Sequence, residues 1–177
     1  MKPNEYSWNE YEQNAFLASK HEALSKRKIA IDDVDEKRGE LVEILDQLPH
    51  DKIARWALEN AQKYIPYMDA TDDTEQIISE ASYALNQRIA GDSSVSELRR
   101  AGFLANTLAQ RSTNVISKFS ARVFAQAIAT GHMRSHAIVS ADYAIRVVNE
   151  LYPNDTKQVI NERNRQINLA KEYYKLS

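Results

Sequence analysis

A chain of 177 residues, 43% hydrophobic and 27% charged, has the make-up of a soluble globular domain with room for an appendage. Its lack of cysteine excludes a disulfide framework, a thiol nucleophile and a thiolate zinc site, and suits a reducing compartment. Residues 1–50 carry 7 basic against 11 acidic side chains, residues 51–91 carry 4 against 7, and residues 92–177 carry 12 against 7. With that gradient under a net charge of −2, either the halves attract each other or an acidic surface meets a basic partner.

The predicted elements are all helices. Trp8, Tyr11, Ala15 and Ala18 make a first stripe at helical spacing. Val34, Leu41, Leu45 and Leu48 make a second, stopped by Pro49, and Ile53, Trp56, Ala57, Ala61, Tyr64 and Ile65 a third, stopped by Pro66. Ile78, Ala81, Leu85 and Ile89 form a fourth, with Gly91 placed as a C-terminal cap. Leu98, Ala101, Ala105, Leu108 and Ala109 form a fifth. The sixth, over about residues 115–130, is apolar nearly all round, with Phe119, Val123, Phe124 and Ile128 among alanines, so it belongs at the centre. Gly131 can end it. A seventh runs from Ile138 to Leu151 before Pro153, and an eighth carries Ile160, Ile167, Ala170 and Tyr173. Helix starts follow one pattern, an N-cap residue with Glu or Gln three later: Ser7–Glu10, Asp33–Glu36, Asp72–Glu75, Ser94–Glu97 and Asp155–Gln158. No alternating strand pattern competes. The reading is an all-α bundle of about seven to eight helices, with a helical hairpin at residues 1–50 appended to a core over residues 51–177.

Chemistry-bearing motifs are sparse. His132 and His136 stand four apart beside Gly131, but the positions one turn away (Ile128, Ala129, Val139, Ser140) are poor ligands, and the glutamate of an H-E-x-x-H zinc site is missing. The pair reads better as histidines bonded to backbone around a helix break. Glu-x-x-His pairs, a nucleophile elbow and a phosphate loop are all missing, so no catalytic residue, metal or cofactor is assigned. The basic C-terminal half has Lys118 and Arg122 on one helix face but no compact basic cluster, which argues against nucleic acid. The acidic turn with Asp69, Asp72, Asp73 and Glu75 is mostly explained by helix capping, with a partner-facing role as the alternative. No apolar run is long enough to span a membrane, and the polar segment from Met1 to Trp8 does not read as a secretory signal, which points to the cytoplasm.

Trp56-Ala57, Leu98-Arg-Arg-Ala101, the run Ala125-Gln-Ala-Ile-Ala-Thr-Gly-His132 with His136-Ala137 and Tyr143-Ala144, and Glu162-Arg163-x-x-Gln166 follow one another in order. Over residues 51–174 this series resembles the fifth numbered family of polymorphic-toxin immunity proteins. Arg134-Ser135 stands where that family often has Pro-Gly, Arg165 where it often has an aromatic residue, and residues 1–50 have no counterpart. The resemblance implies an all-α, non-enzymatic bacterial protein encoded beside a toxin. Such a protein binds the cognate toxin domain and blocks it, and the family histidines fall on His132 and His136. Asp69, Asp72, Asp73, Glu75, His132 and His136 are therefore the candidate partner-binding residues. A helical regulatory or nucleic-acid-binding protein is the alternative, and a homo-oligomer is left open.

Overall fold

The computed structural model describes residues 27–69 and 71–175. They form α1 (Asp35–Gln47), α2 (His50–Gln62), a 3-10 turn (Ile65–Tyr67), α3 (Thr74–Ala90), α4 (Val95–Arg111), α5 (Val115–Ala129), α6 (His136–Leu151) and α7 (Thr156–Lys175). All regular structure among the described residues is helical, as the periodicity predicts; the first predicted stripe lies outside them. Pro66 sits inside the 3-10 turn, and α2 already ends at Gln62. Helix α1, the second arm of the expected hairpin, packs along α7 and sends Leu41 and Leu45, with Leu48 just past its end, into the same core as Trp56, Leu85, Leu98 and Phe124.

Helix α5 is the axis of the bundle. It packs against α4, α6, α2, α3 and the 3-10 turn. Ala121, Ala125 and Ala127 are buried beside Val123, Phe124 and Ile128. Alanine at these positions lets neighbouring helices approach closely, so one helix of modest bulk can serve several partners. Gly131 continues this logic past the helix end. A Cβ built there would lie 2.5 Å from both Leu85 Cδ1 and Leu98 Cδ2, inside van der Waals contact.

Helix ends follow the sequence where a cap has no other use. Ser94 and Glu97 form the full capping box, Asp155 accepts from the amides of Lys157 and Gln158, and Gly91 takes the left-handed conformation at φ 87°. Two predicted caps are displaced. Residue Asp73, not Asp72, precedes α3, and Val34, not Asp33, precedes α1.

The Asp33 carboxylate is drawn instead to Arg163 on α7. Arg163 Nε and Nη2 donate to it at 3.0 and 2.7 Å, Nη2 also to Asp142 at 2.7 Å, and Nη1 to the Gln166 side chain at 2.9 Å. Arg38 on α1 completes the cluster with bonds of 3.0 and 2.9 Å to Asp142. Burial alone pushes the Asp33 carboxyl up and the Arg163 guanidinium down. Their mutual bonds and charges outweigh this, so Asp33 is held below the usual carboxylate range and Arg163 above its own.

Two stability predictions follow from this packing. Gly131→Ala lowers the urea unfolding free energy by about 1–3 kcal/mol, the range for overpacking a filled core. Arg163→Met lowers it by about 3–5 kcal/mol, because it removes the bidentate partner of the buried Asp33 carboxylate and one of the two cations at Asp142; the double change Arg163→Met, Asp33→Leu costs less than the single one, since Asp142 keeps Arg38.

Candidate functional site

The two histidines flank the break between α5 and α6: the helix stops at Ala129, and His136 is the first residue of the next one. Their rings lie 5.2 Å apart between centroids. Sequence reasoning has this pair bonding to backbone around the break, but His136 Nδ1 meets the Gln126 side-chain oxygen at 2.6 Å. The histidine that serves the break is His50, at the start of α2. Its Nε2 donates to the Thr130 carbonyl at 2.6 Å, which assigns the proton to Nε2 because a carbonyl only accepts. Between the two histidines of the turn, Arg134 is buried and aims away from them. Its guanidinium donates to the carbonyls of Leu45 and Asp46 at 3.2 and 3.1 Å, at the C-terminal end of α1. Arg134 and His50 were not among the sequence candidates. Their partners lie 80 or more residues away, where no local pattern points.

Beside the turn, between α4 and α5, lies an open groove of about 320 Å³. Arg99, Phe103, Arg122, Gln126, His132 and His136 line it, with Gly102, Ala125 and Ala129 leaving room between them. Arg122 is hydrogen-bonded to the Asn106 side chain. Burial pushes His132 and His136 down to about 4; Arg99 adds to this at His132, and His132 and Lys28 add to it at His136. Burial, with a smaller contribution from Arg134 and Arg88, takes His50 to about 3 against the opposing bond to Thr130. All three are neutral at pH 7. An imidazole titrating near 4 is a weak base, poorly matched to proton transfer at neutral pH, and suits hydrogen bonding and apolar contact.

The acidic turn lies at the other end of α5. Asp69 accepts from Thr113 N at 2.6 Å, Thr113 Oγ1 at 3.0 Å and Asn114 Nδ2 at 3.1 Å. Its own amide donates to Ser117 Oγ in the first turn of α5 at 2.8 Å. The Thr113 amide leads in holding its carboxyl below the usual range. Asp73 pairs with Arg111 at 2.9 Å, and that bond leads in lowering it. Asp72 and Glu75 are exposed. With 15 residues in α5 at about 1.5 Å each, the acidic and histidine turns stand roughly 20 Å apart. They are two separate faces. Among the described residues no group of three or more His, Asp or Glu side chains is placed to hold a metal, and no helix is long and apolar enough to cross a membrane.

The sequence motifs quoted for the resemblance map mainly onto the interior. Trp56 Nε1 donates to the Gln166 carbonyl at 3.2 Å, and Gln166 Nε2 to the Ala141 carbonyl at 3.3 Å. Glu162, Arg163 and Gln166 are all buried, with Glu162 held by Lys63 and Arg165. A family model described as "Imm-5 like putative immunity protein" matches residues 43–173. The chain belongs to this family. No curated protein and no solved structure showed significant similarity to it. Within this immunity-protein family, the closing Glu162-Arg163-x-x-Gln166 element reads here as a packing device, since it joins α7 to α2, α6 and the segment before α1.

The histidines also set the pH response. Their folded pKa values of about 3 to 4 lie below the unfolded value near 6.5, so the unfolded chain binds more protons in between. Their contribution to stability is complete above pH 6.5 and is lost as pH falls through the folded values. The urea midpoint therefore drops steadily from pH 6.5 to 4.5, above the range where the lowered carboxylates Asp33 and Glu162 titrate. The double variant H50Q/H136Q flattens that slope.

Proposed function

We propose that this chain binds a cognate bacterial toxin domain and neutralises it by occlusion, without catalysis, in the cytoplasm. The observation that carries the reading is membership of the immunity-protein family over residues 43–173. The arrangement of the polar groups supports it. The buried charges Arg38, Asp33, Asp142 and Arg163 are engaged with one another, and the histidines are neutral, as fits a scaffold that presents surfaces. Two surfaces are candidates. One is the acidic turn, where Asp72 and Glu75 are exposed while Asp69 and Asp73 also hold the loop together. The other is the histidine turn with His132, His136 and the groove beside it.

The test is co-expression with the toxin domain encoded next to this gene, the arrangement that the family resemblance implies. Growth is restored by the chain, and the purified pair elutes as one complex on size-exclusion chromatography with light scattering. If the toxin remains lethal and the two proteins elute apart, the reading is wrong. A complex with rescue unchanged in an Asp72→Ala, Glu75→Ala variant removes the acidic turn from the contact surface.

A further inference from the structure

Phe103 is the most exposed large hydrophobic side chain among the described residues, at 75% of its full accessible surface. It stands on α4, whose inward positions Leu98, Ala105, Leu108 and Ala109 are filled and buried, so the fold makes no use of its ring. The ring borders the groove described above, where Gly102, Ala125 and Ala129 leave a recess next to a protruding aromatic. An exposed aromatic beside a recess is the shape of an interface anchor, because covering the ring removes a large apolar surface from water.

The charge of the same face is one-signed. Helix α5 contains no Asp or Glu, and α4 contains only Glu97, which is occupied in capping its own helix at Ser94. Arg99 and Arg122 line the groove, Arg100 and Lys118 lie on the same two helices, and no carboxylate lines the groove. The chain carries a net charge of −2, so this cationic face runs against the average of the molecule. Such a face selects a partner of opposite sign and speeds its encounter. The neutral imidazoles of His132 and His136 add hydrogen-bonding capacity to the rim without adding charge.

We propose that this groove is the docking slot for an acidic segment of the toxin that inserts an apolar side chain beside Phe103 and delivers carboxylates to Arg99 and Arg122. The proposal rests on the toxin-binding reading above and names the face and the chemistry of the contact. It places the contact on the opposite end of α5 from the acidic turn, and it gives the toxin surface the opposite sign to the one an acidic turn would recruit. The recess and the bare aromatic ring favour a protein segment over a nucleic acid, whose phosphates call for a track of cations.

The test is isothermal titration of the purified toxin domain into the full-length chain and three variants, with circular dichroism confirming that each variant is folded. Phe103→Ser weakens binding by about 30-fold or more, the size of an interface hot spot. The charge reversal R99E/R122E weakens it further, and its remaining affinity no longer falls as salt rises. Tyr83→Ser, an exposed aromatic on α3, leaves it unchanged. In the wild-type complex the imidazole signals of His132 and His136, which line the groove, shift in NMR spectra.

Wild-type affinity in both groove variants, with the histidine signals unmoved, overturns the groove and leaves toxin binding standing. No binding by the wild-type chain overturns both. Titration with a short DNA duplex supplies the last arm: binding of the duplex, but not the toxin, lost in R99E/R122E would show a face that reads phosphate and would overturn the proposal.

Discussion

The buried guanidinium of Arg163 is the constraint on which the rest of this fold depends. A cation removed from water is stable only if nearly every donor finds an acceptor, and here Asp33, Asp142 and Gln166 supply them. Those acceptors come from the segment before α1, from α6 and from α7 itself, and Arg38 on α1 balances the second carboxylate. With Arg27 also beside Asp33, each carboxylate of the cluster meets two guanidinium groups. Shifting any one of these elements by a turn would leave a charge without its partner. The cluster therefore works chiefly by selecting one register for α1, α6 and α7, while the apolar surface around it supplies most of the stabilisation.

The same solution recurs at the α5–α6 break. A turn buried in a bundle exposes backbone carbonyls to a dry environment, and each must be satisfied. His50 reaches Thr130 from α2, and Arg134 reaches the end of α1 from within the turn. Both side chains are thereby committed to holding the ends of other helices. With the structural task given to His50 and Arg134, the outer side of the turn is left to His132, His136 and Gln126, which border the groove. Gly131 permits this layout because Leu85 and Leu98 occupy the space a side chain would need.

Charge is sorted along α5. At its N-terminal end, Asp69 and Asp73 are tied to Thr113, Asn114 and Arg111, so much of the acidic turn's charge is neutralised within the molecule. Toward its C-terminal end, Arg99 of α4 and Arg122 of α5 line a groove without carboxylates. The gradient seen along the chain is partly neutralised within the molecule. Part of it closes the fold, through Arg163 with Asp33, Lys171 with Glu40 and Arg111 with Asp73, and part remains as surface.

The sequence by itself determined the helices and the centrality of α5, because apolar spacing, the Ser94–Glu97 box, the Gly91 cap and the alanines of α5 act over a few residues and need no distant partner. The motifs that carry the family resemblance were legible as residues, yet their task, as in Arg163 and Gln166, was not. Asp33 and Asp72 carry the same capping signal as Ser94 and miss the position because a carboxylate also answers to a distant cation or to the geometry of its loop. His50, Arg134 and Phe103 gave no local sign. Only the tertiary structure could assign them, because whether a polar group is buried against a carbonyl or an aromatic ring is left in water depends on which helices stand beside it, and that is decided by packing between segments far apart in the chain.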